Sequence, residues 1–300
     1  MAMFDCDTED TVTSRRKLLG AAGAAVASTL AGCGSVVQIE REGTTDEQTI
    51  DAPTDATLAV VDATDAIAFT AERRDDIKVI AEKKAFGGVS LNELTVEVER
   101  TDGRIEITTD KPNVFGIGGA SVSLELYVPE RMAVDQLQTA DGAVTARRLP
   151  DNAALRTRDG SIQITDARGD VTAETSDGNI SVDGTDGTLS AVTQDGSIQV
   201  RDPARVDEIN TRDGNVMTDV PAVADNAEIK SSDGNLLLRF GETLDTVLTA
   251  DTADGEILVS NVAPGLQIRR RTDSQLEAVV GDGSTPLRAH TNDGDVMVRG

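Results

Sequence analysis

The sequence predicts an all-β chain: a β-solenoid of the parallel β-helix or β-roll type, with a β-rich cap at its amino-terminal side. Three observations predict it. Asp-Gly pairs recur every 18 residues from Asp141 to Asp213, aliphatic and hydroxyl residues hold fixed offsets from each Asp, and the residues between alternate apolar and polar.

The pairs are Asp141-Gly142, Asp159-Gly160, Asp177-Gly178, Asp195-Gly196 and Asp213-Gly214. They continue at Asp233 and Asp254 and return at Asp293, and a degraded copy at Asp273-Ser274 fills the 39-residue gap. That reading gives nine coils of 18–21 residues within residues 131–300. Three positions after the Asp stand Val144, Ile162, Ile180, Ile198, Val216, Leu236, Ile257, Leu276 and Val296. Two before it stand Thr139, Thr157, Thr175, Thr193, Thr211, Ser231, Thr252 and Thr291, with Arg271 in the degraded copy. Offsets of −4, −2, +3 and +5 mark the inward faces of two strands joined by a turn. Arg156, Arg158, Gln163 and Thr165 fall on the outward face.

An antiparallel hairpin also uses Asp-Gly. The constant period favours a stack, because only there must equivalent residues form identical columns. Each strand then pairs in parallel with its counterpart about 4.8 Å away. Gly after Asp is expected to supply a positive φ at the corner. A row of Asp also suggests calcium between turns, but such coils use nine-residue units rich in glycine. Turn chemistry is the preferred reading, and no metal site is assigned.

Residues 56–130 alternate in the same way but out of phase, over Leu58 to Thr70, Ile77 to Glu82, Leu94 to Arg100, Arg104 to Thr108 and Val122 to Val128. Thr101-Asp102-Gly103 reads as a hairpin turn. Phe86-Gly87-Gly88 and Phe115-Gly116-Ile117-Gly118-Gly119 read as loops. A solenoid needs its first apolar face covered, so this region is the expected cap. At the other end the chain stops inside its last coil, which predicts an open edge and end-on self-association.

Composition narrows the function. The net charge is −25, from 53 acidic and 28 basic residues, and only six of the basic residues are lysine. Such a surface excludes nucleic acid as a partner, since phosphate neutralisation needs clustered Lys and Arg. Acidic, lysine-poor surfaces resemble those of extreme halophiles, where molar salt screens repulsion beyond about 3 Å. With no Trp, one Tyr and five Phe, stacking sites for sugars or single strands lose ground too.

Residues 1–32 read as an export address. Arg15 and Arg16 precede an apolar run from Leu18 to Leu30, which is shorter than the roughly 20 residues a membrane helix needs. The arginine pair resembles a twin-arginine signal. Leu30-Ala31-Gly32-Cys33 resembles a lipobox, so Cys33 is the expected lipidation site and the lipid the expected membrane contact. Cys6 lies upstream of it, leaving no partner for a disulfide. Residues 33–55 are polar and turn-rich, as in a flexible tether. The expected location is the extracytoplasmic face of the cell membrane.

Leu124-Glu125-Leu126-Tyr127-Val128-Pro129-Glu130, followed by Thr-x-Asp-Gly-x-Ile-x-Val coils, resembles the DUF4097 family of adhesin-like proteins over residues 56–300. With the signal and lipobox, the whole resembles a haloarchaeal-type twin-arginine lipoprotein. The resemblance implies a β-solenoid and a surface role and carries over no catalytic residue or cofactor. The acidic surface and the degraded coil are departures from it.

His290 is the only histidine, which excludes Ser-His-Asp and Cys-His sites; it is expected to be exposed. Arg269-Arg270-Arg271 is the one basic run outside the signal. It either pairs with nearby Asp or docks an acidic surface protein or glycan. The expectation is thus a non-catalytic, lipid-anchored adhesin-like or structural rod. The alternatives are an accessory binding module for a membrane signalling or envelope-stress partner and, behind it, a polysaccharide-active β-helix enzyme.

Overall fold

Period-two alternation becomes strand almost throughout. The computed structural model describes residues 14–17, 41–101, 103–113, 118–260 and 265–300, and among these only Leu91–Glu93 is helical, a single 3-10 turn. The apolar run Leu18 to Leu30, Cys33 and the loop around Phe115 lie outside the described residues.

The coils stack as the columns require. Val144 pairs in parallel register with Ile162, Ile162 with Ile180, Ile180 with Ile198, Ile198 with Val216 and Val216 with Leu236. All six are at most 1% exposed. On the other side of the corner Leu137, Leu155, Ala173, Ala191, Ile209 and Ile229 form a second buried row. Each large aliphatic side chain buried this way contributes about 1.5–3 kcal/mol. These rows are the core of the rod.

The hydroxyl row bonds differently from a side-chain ladder. Thr157 Oγ1 donates to the Gly142 carbonyl at 2.9 Å, Thr175 to Gly160 at 2.8 Å, Thr193 to Gly178 at 2.9 Å, Thr211 to Gly196 at 2.7 Å and Ser231 to Gly214 at 2.9 Å. Each buried hydroxyl thus joins its own strand to the corner of the preceding coil.

That contact corrects the role expected of glycine. Gly142 has φ +95°, but the later corner glycines do not have positive φ. A Cβ on Gly160 would stand 1.8 Å from the Gly142 oxygen, and one on Gly178 would stand 1.9 Å from the Gly160 oxygen. Glycine is needed because the corner backbones touch. Left-handed backbone appears seven residues after the Asp instead, at Arg148 (φ 56°), Asp166 (57°), Gly184 (79°) and Asp202 (47°).

The carboxy-terminal order departs from expectation. Leu236 pairs with Val296, and Val296 with Ile257, so the Asp293 coil lies between the Asp233 and Asp254 coils. The hydroxyl ladder follows this order: Thr291 donates to the Gly234 carbonyl and Thr252 to that of Gly294, both at 2.8 Å. The degraded copy is not a coil. Gln267–Arg271 and Gln275–Val280 form an antiparallel hairpin, and the latter strand runs antiparallel to Thr246–Thr252. Arginines at 269 and 271 occupy inward positions of the repeat, and a guanidinium cannot enter a dry aliphatic row unpaired. Leu276 and Ala278 are buried, but against Ala250 and Leu248. The last coil is therefore internal, so the premise of an open final coil does not hold.

The amino-terminal side also differs. Thr57–Ala63 and Ile67–Glu72 form a true coil: Val60 pairs with Leu137, Ile67 with Val144 and Phe69 with Ala146. Thr64-Asp65-Ala66 replaces the Asp-Gly corner, and a bulge at Asp62 (φ 50°) absorbs the register shift. Arg104–Asp110 and Gly119–Pro129 stack on its two strands in parallel. The cap proper is antiparallel: Asp76–Phe86 on Gly119–Pro129, and Thr95–Thr101 on Arg104–Asp110, the latter pair forming the expected hairpin.

Half of the expected tether is strand. Arg41–Asp51 pairs antiparallel with Asp76–Phe86 along its whole length. Ile50 is fully buried, and Asp46 meets Lys83 at 2.8 Å with both side chains at most 6% exposed. The segment is polar, yet its two inward residues are an isoleucine and an acid with a buried cation waiting for it. Arg15 and Arg16 lie in the short strand Ser14–Lys17, which pairs antiparallel with Thr95–Thr101.

Two predictions follow from the corner. Thr193→Val leaves the Gly178 carbonyl without its partner and should cost about 1–3 kcal/mol in denaturant unfolding, whereas Thr193→Ser should cost less. At the second corner, Arg148→Val should destabilise, since a β-branched residue resists left-handed backbone, while Arg148→Gly should be neutral or better. Equal effects of Val and Gly would contradict the assignment.

Candidate functional surface

The Asp residues of the repeat stand in one row along the rod, since each corner sits on the one before. Asp159, Asp177, Asp195, Asp213, Asp233, Asp293 and Asp254 are exposed, in that spatial order, and Asp141 is half-buried. Their glycines at 160, 178, 196 and 214 are buried beneath them. At the first end Lys111 Nζ lies 3.1 Å from Asp65 and 3.8 Å from Asp141, closing the row with a cation.

Asp159 feels its neighbours in the row. The Asp159 carboxyl is held above its ordinary range, first because neighbouring coils strip solvent from it, then through its hydrogen bond to Asp141 and the charges of Asp141 and Asp177. Arg158 partly offsets this. Among the described residues no group of three or more His, Cys, Asp and Glu is arranged to hold a metal ion.

A second row was missed in the sequence. Two positions after six of the eight Asp residues stand Ser161, Asn179, Ser197, Asn215, Asn235 and Asp295, and each side-chain oxygen accepts the backbone N–H of the next coil. Asn179 accepts from Ser197 N at 2.8 Å, Asn215 from Asn235 N at 2.9 Å, Asn235 from Asp295 N at 2.7 Å and Asp295 from Glu256 N at 2.9 Å. The signal was available: short side chains with an acceptor oxygen at a constant offset.

Other polar groups are tied locally. His290 is half-buried rather than exposed; its Nδ1 lies 2.5 Å from Asp251 and its Nε2 3.1 Å from Asn292. Arg269, Arg270 and Arg271 lie exposed on the outer strand of the hairpin, with Arg270 3.7 Å from Glu277. A shallow depression of about 370 Å³ is lined by Glu72, Arg73, Arg74, Asp75, Glu130 and Arg131. Arg74 binds Glu72 and Asp76 there, and Arg131 binds Asp75, so its charges largely satisfy one another.

Asp245 holds the intercalated coil in place. Its carboxylate accepts Gly283 N at 2.5 Å, Ser284 N at 3.1 Å and the Ser284 hydroxyl at 2.9 Å, fastening the turn that leads into Thr285–Thr291. The Ser284 bonds, backbone and then side chain, hold its pKa below the usual carboxylate range.

Residues 57–299 match the model of the family described as Toastrack DUF4097. No curated protein matches. Three solved structures with provisional names are similar to the chain. A cell adhesion protein from Clostridium sporogenes is 11% identical, with 86% of this chain and 99% of that one covered and a TM-score of 0.24. A lipid binding protein from Parabacteroides distasonis is 13% identical, covering 85% and 96%, with a TM-score of 0.43. An adhesin from Bacteroides fragilis is 11% identical, covering 85% and 97%, with a TM-score of 0.31.

The raised pKa of Asp159 has a sign that can be checked. Its charged form is disfavoured in the folded chain, so the destabilisation is present above its folded pKa and relieved as pH falls through it. Asp159→Asn should raise the melting temperature at neutral pH and low salt. The gain should shrink in molar salt and as the carboxylates protonate. Asp245→Asn should do the opposite, lowering stability at neutral pH and loosening the Asp293 coil, seen as faster amide exchange in Thr285–Thr291.

Proposed function

Because the chain belongs to the Toastrack DUF4097 family, we propose that it is a non-catalytic, adhesin-like or structural rod, lipid-anchored through Cys33 on the extracytoplasmic face of the membrane. The carrying observation is the regularity of the surface. Eight Asp-Gly coils follow one another with short corners, and the conspicuous polar groups are spent on the ladder itself or on local ion pairs.

In this reading Arg15 and Arg16 direct export of a folded chain, which suits a protein whose coils must lock together before they are stable. Cleavage before Cys33 then leaves a short tether from Cys33 to the strand at Arg41, not the longer one that composition suggested. The acidic surface keeps the rod soluble in high salt and repels nucleic acid. The partner is a surface protein or glycan that lies along a flat β face. End-on self-association has a weaker basis than the sequence suggested, because the hairpin at that end carries three arginines on its outer strand, a charge block that disfavours strand addition.

An accessory role beside a membrane signalling partner is the second reading, favoured by the exposed Arg269–Arg271 run, a basic cluster open to a more acidic partner. Replacing these three residues by Ser distinguishes the two: loss of a crosslinked membrane partner, with surface retention unchanged, supports the accessory role.

Two variants test anchoring. Cys33→Ala should move the protein from the membrane fraction to the medium, and Arg15→Lys with Arg16→Lys should retain it unprocessed inside the cell. Membrane association unchanged by Cys33→Ala would exclude the lipid anchor.

A further inference from the structure

Alternate residues of a strand share a face, so the residue four positions after each Asp points outward beside its equivalents. In the first coils this row is polar: Thr145, Gln163, Ser181 and Gln199, paired in that order. It then turns apolar. Met217 pairs with Leu237, Leu237 with Met297, and Met297 with Leu258. Intercalation of the last coil makes the row continuous, because it puts Met297 next to Leu237 and removes Glu277, the residue the degraded copy would have placed there. Leu258 is 41% exposed, and the other three are half-buried.

The flanks of this stripe carry opposite charge. Two positions further along the strands stand Asp219, Arg239, Arg299 and Ser260, of which Arg239 and Arg299 are paired in register and exposed. Arg239 reaches Asp219 at 3.4 Å and the Met217 sulfur at 3.5 Å. Arg299 lies 3.3 Å from the Met297 sulfur and makes no ion pair among the described residues. On the corner side stand Asp295 and Glu256, with Asp233, Asp293 and Asp254 beyond them. Arginine stems covering methionine would explain Met217 and Met297, but Leu258 stays 41% exposed.

We propose that this stripe is an isologous contact between two copies of the chain lying side by side, with the two-fold axis parallel to the stacking direction. The charge order fixes the axis. A two-fold along the stack sets the arginine flank of one copy against the acidic flank of the other, whereas one across the stack sets Arg239 and Arg299 against themselves. The parallel arrangement also leaves both amino-terminal ends on the same side, as two anchors in one membrane require, although the charge argument stands without the anchor. Four residues make a small core against the roughly 800 Å² per partner of a standard interface. The dimer is therefore weak in solution and gains from the high local concentration of a tethered chain.

Sedimentation equilibrium of the full chain carrying Cys33→Ser tests this, with circular dichroism confirming the fold of each variant. The unmutated surface should dimerise with rising concentration, and Leu258→Asp should hold it monomeric. Arg239→Glu with Arg299→Glu, and separately Asp233→Arg with Asp293→Arg at the same two levels of the stack, should each be monomeric alone. Mixed in equal amounts, these two charge variants should associate more than either does alone, since each introduced acid then faces an introduced base on the other copy. A parent that stays monomeric at millimolar concentration overturns the proposal. So does a mixture that associates no more than its separate components. Either result leaves the anchoring reading, tested by fractionation, unaffected.

Discussion

The rod depends on how closely its corners approach. Each Asp-Gly corner rests on the one before, with the glycine Cα almost against the previous glycine carbonyl; a side chain on Gly160 would stand 1.8 Å from that oxygen. The same carbonyl receives the Thr157 hydroxyl, and the Gly160 and Gly178 carbonyls receive those of Thr175 and Thr193. Glycine permits the approach, threonine satisfies the polar atom it buries, and the aliphatic rows on both sides bury the strands. An unpaired carbonyl there would cost about 1–3 kcal/mol, which is why the hydroxyl column is as regular as the aliphatic one.

That contact also explains how the chain can leave sequence order without leaving the fold. A coil needs only a neighbour offering a glycine carbonyl and two strand edges, and the Asp233 coil offers the same surface to any coil of the repeat. The Asp293 coil takes it, through Thr291 and Gly234, while the Asp254 coil stacks on the far side. The hairpin of Gln267–Arg271 and Gln275–Val280 covers one ladder at that end. Asp245 fastens the returning turn. Local repeat chemistry therefore specifies that coils stack, whereas the order of stacking comes from what lies between them.

Charge follows the same geometry. A period that stacks equivalent residues also stacks like charges about 4.8 Å apart, and at Asp159 lost solvation first, then the neighbouring Asp141 and Asp177, raise the carboxyl pKa. Lys111 closes one end of the row, and Asn and Ser next to it give neutral ladders instead. A chain with 53 acidic residues tolerates such rows best where salt screens them.

Most of the coil was legible in the sequence. The offsets −4, −2, +3 and +5 from each Asp identified the buried rows, because burial in a stack imposes the same requirement on every copy. The sequence also carried the Ser/Asn row beside the corner, readable only once backbone N–H groups of the next coil are known to lie within reach. Three things needed the tertiary structure. The strand at Arg41–Asp51 was hidden because a single isoleucine and an ion pair to Lys83 bury it, a contact between distant segments that local polarity masks. The Thr57–Glu72 coil was hidden because Thr64-Asp65-Ala66 makes its corner without Asp-Gly. The position of the last coil was hidden because identical columns are compatible with any stacking order. Periodicity determines which face each residue turns inward; only the assembled chain decides which coil stands next to which.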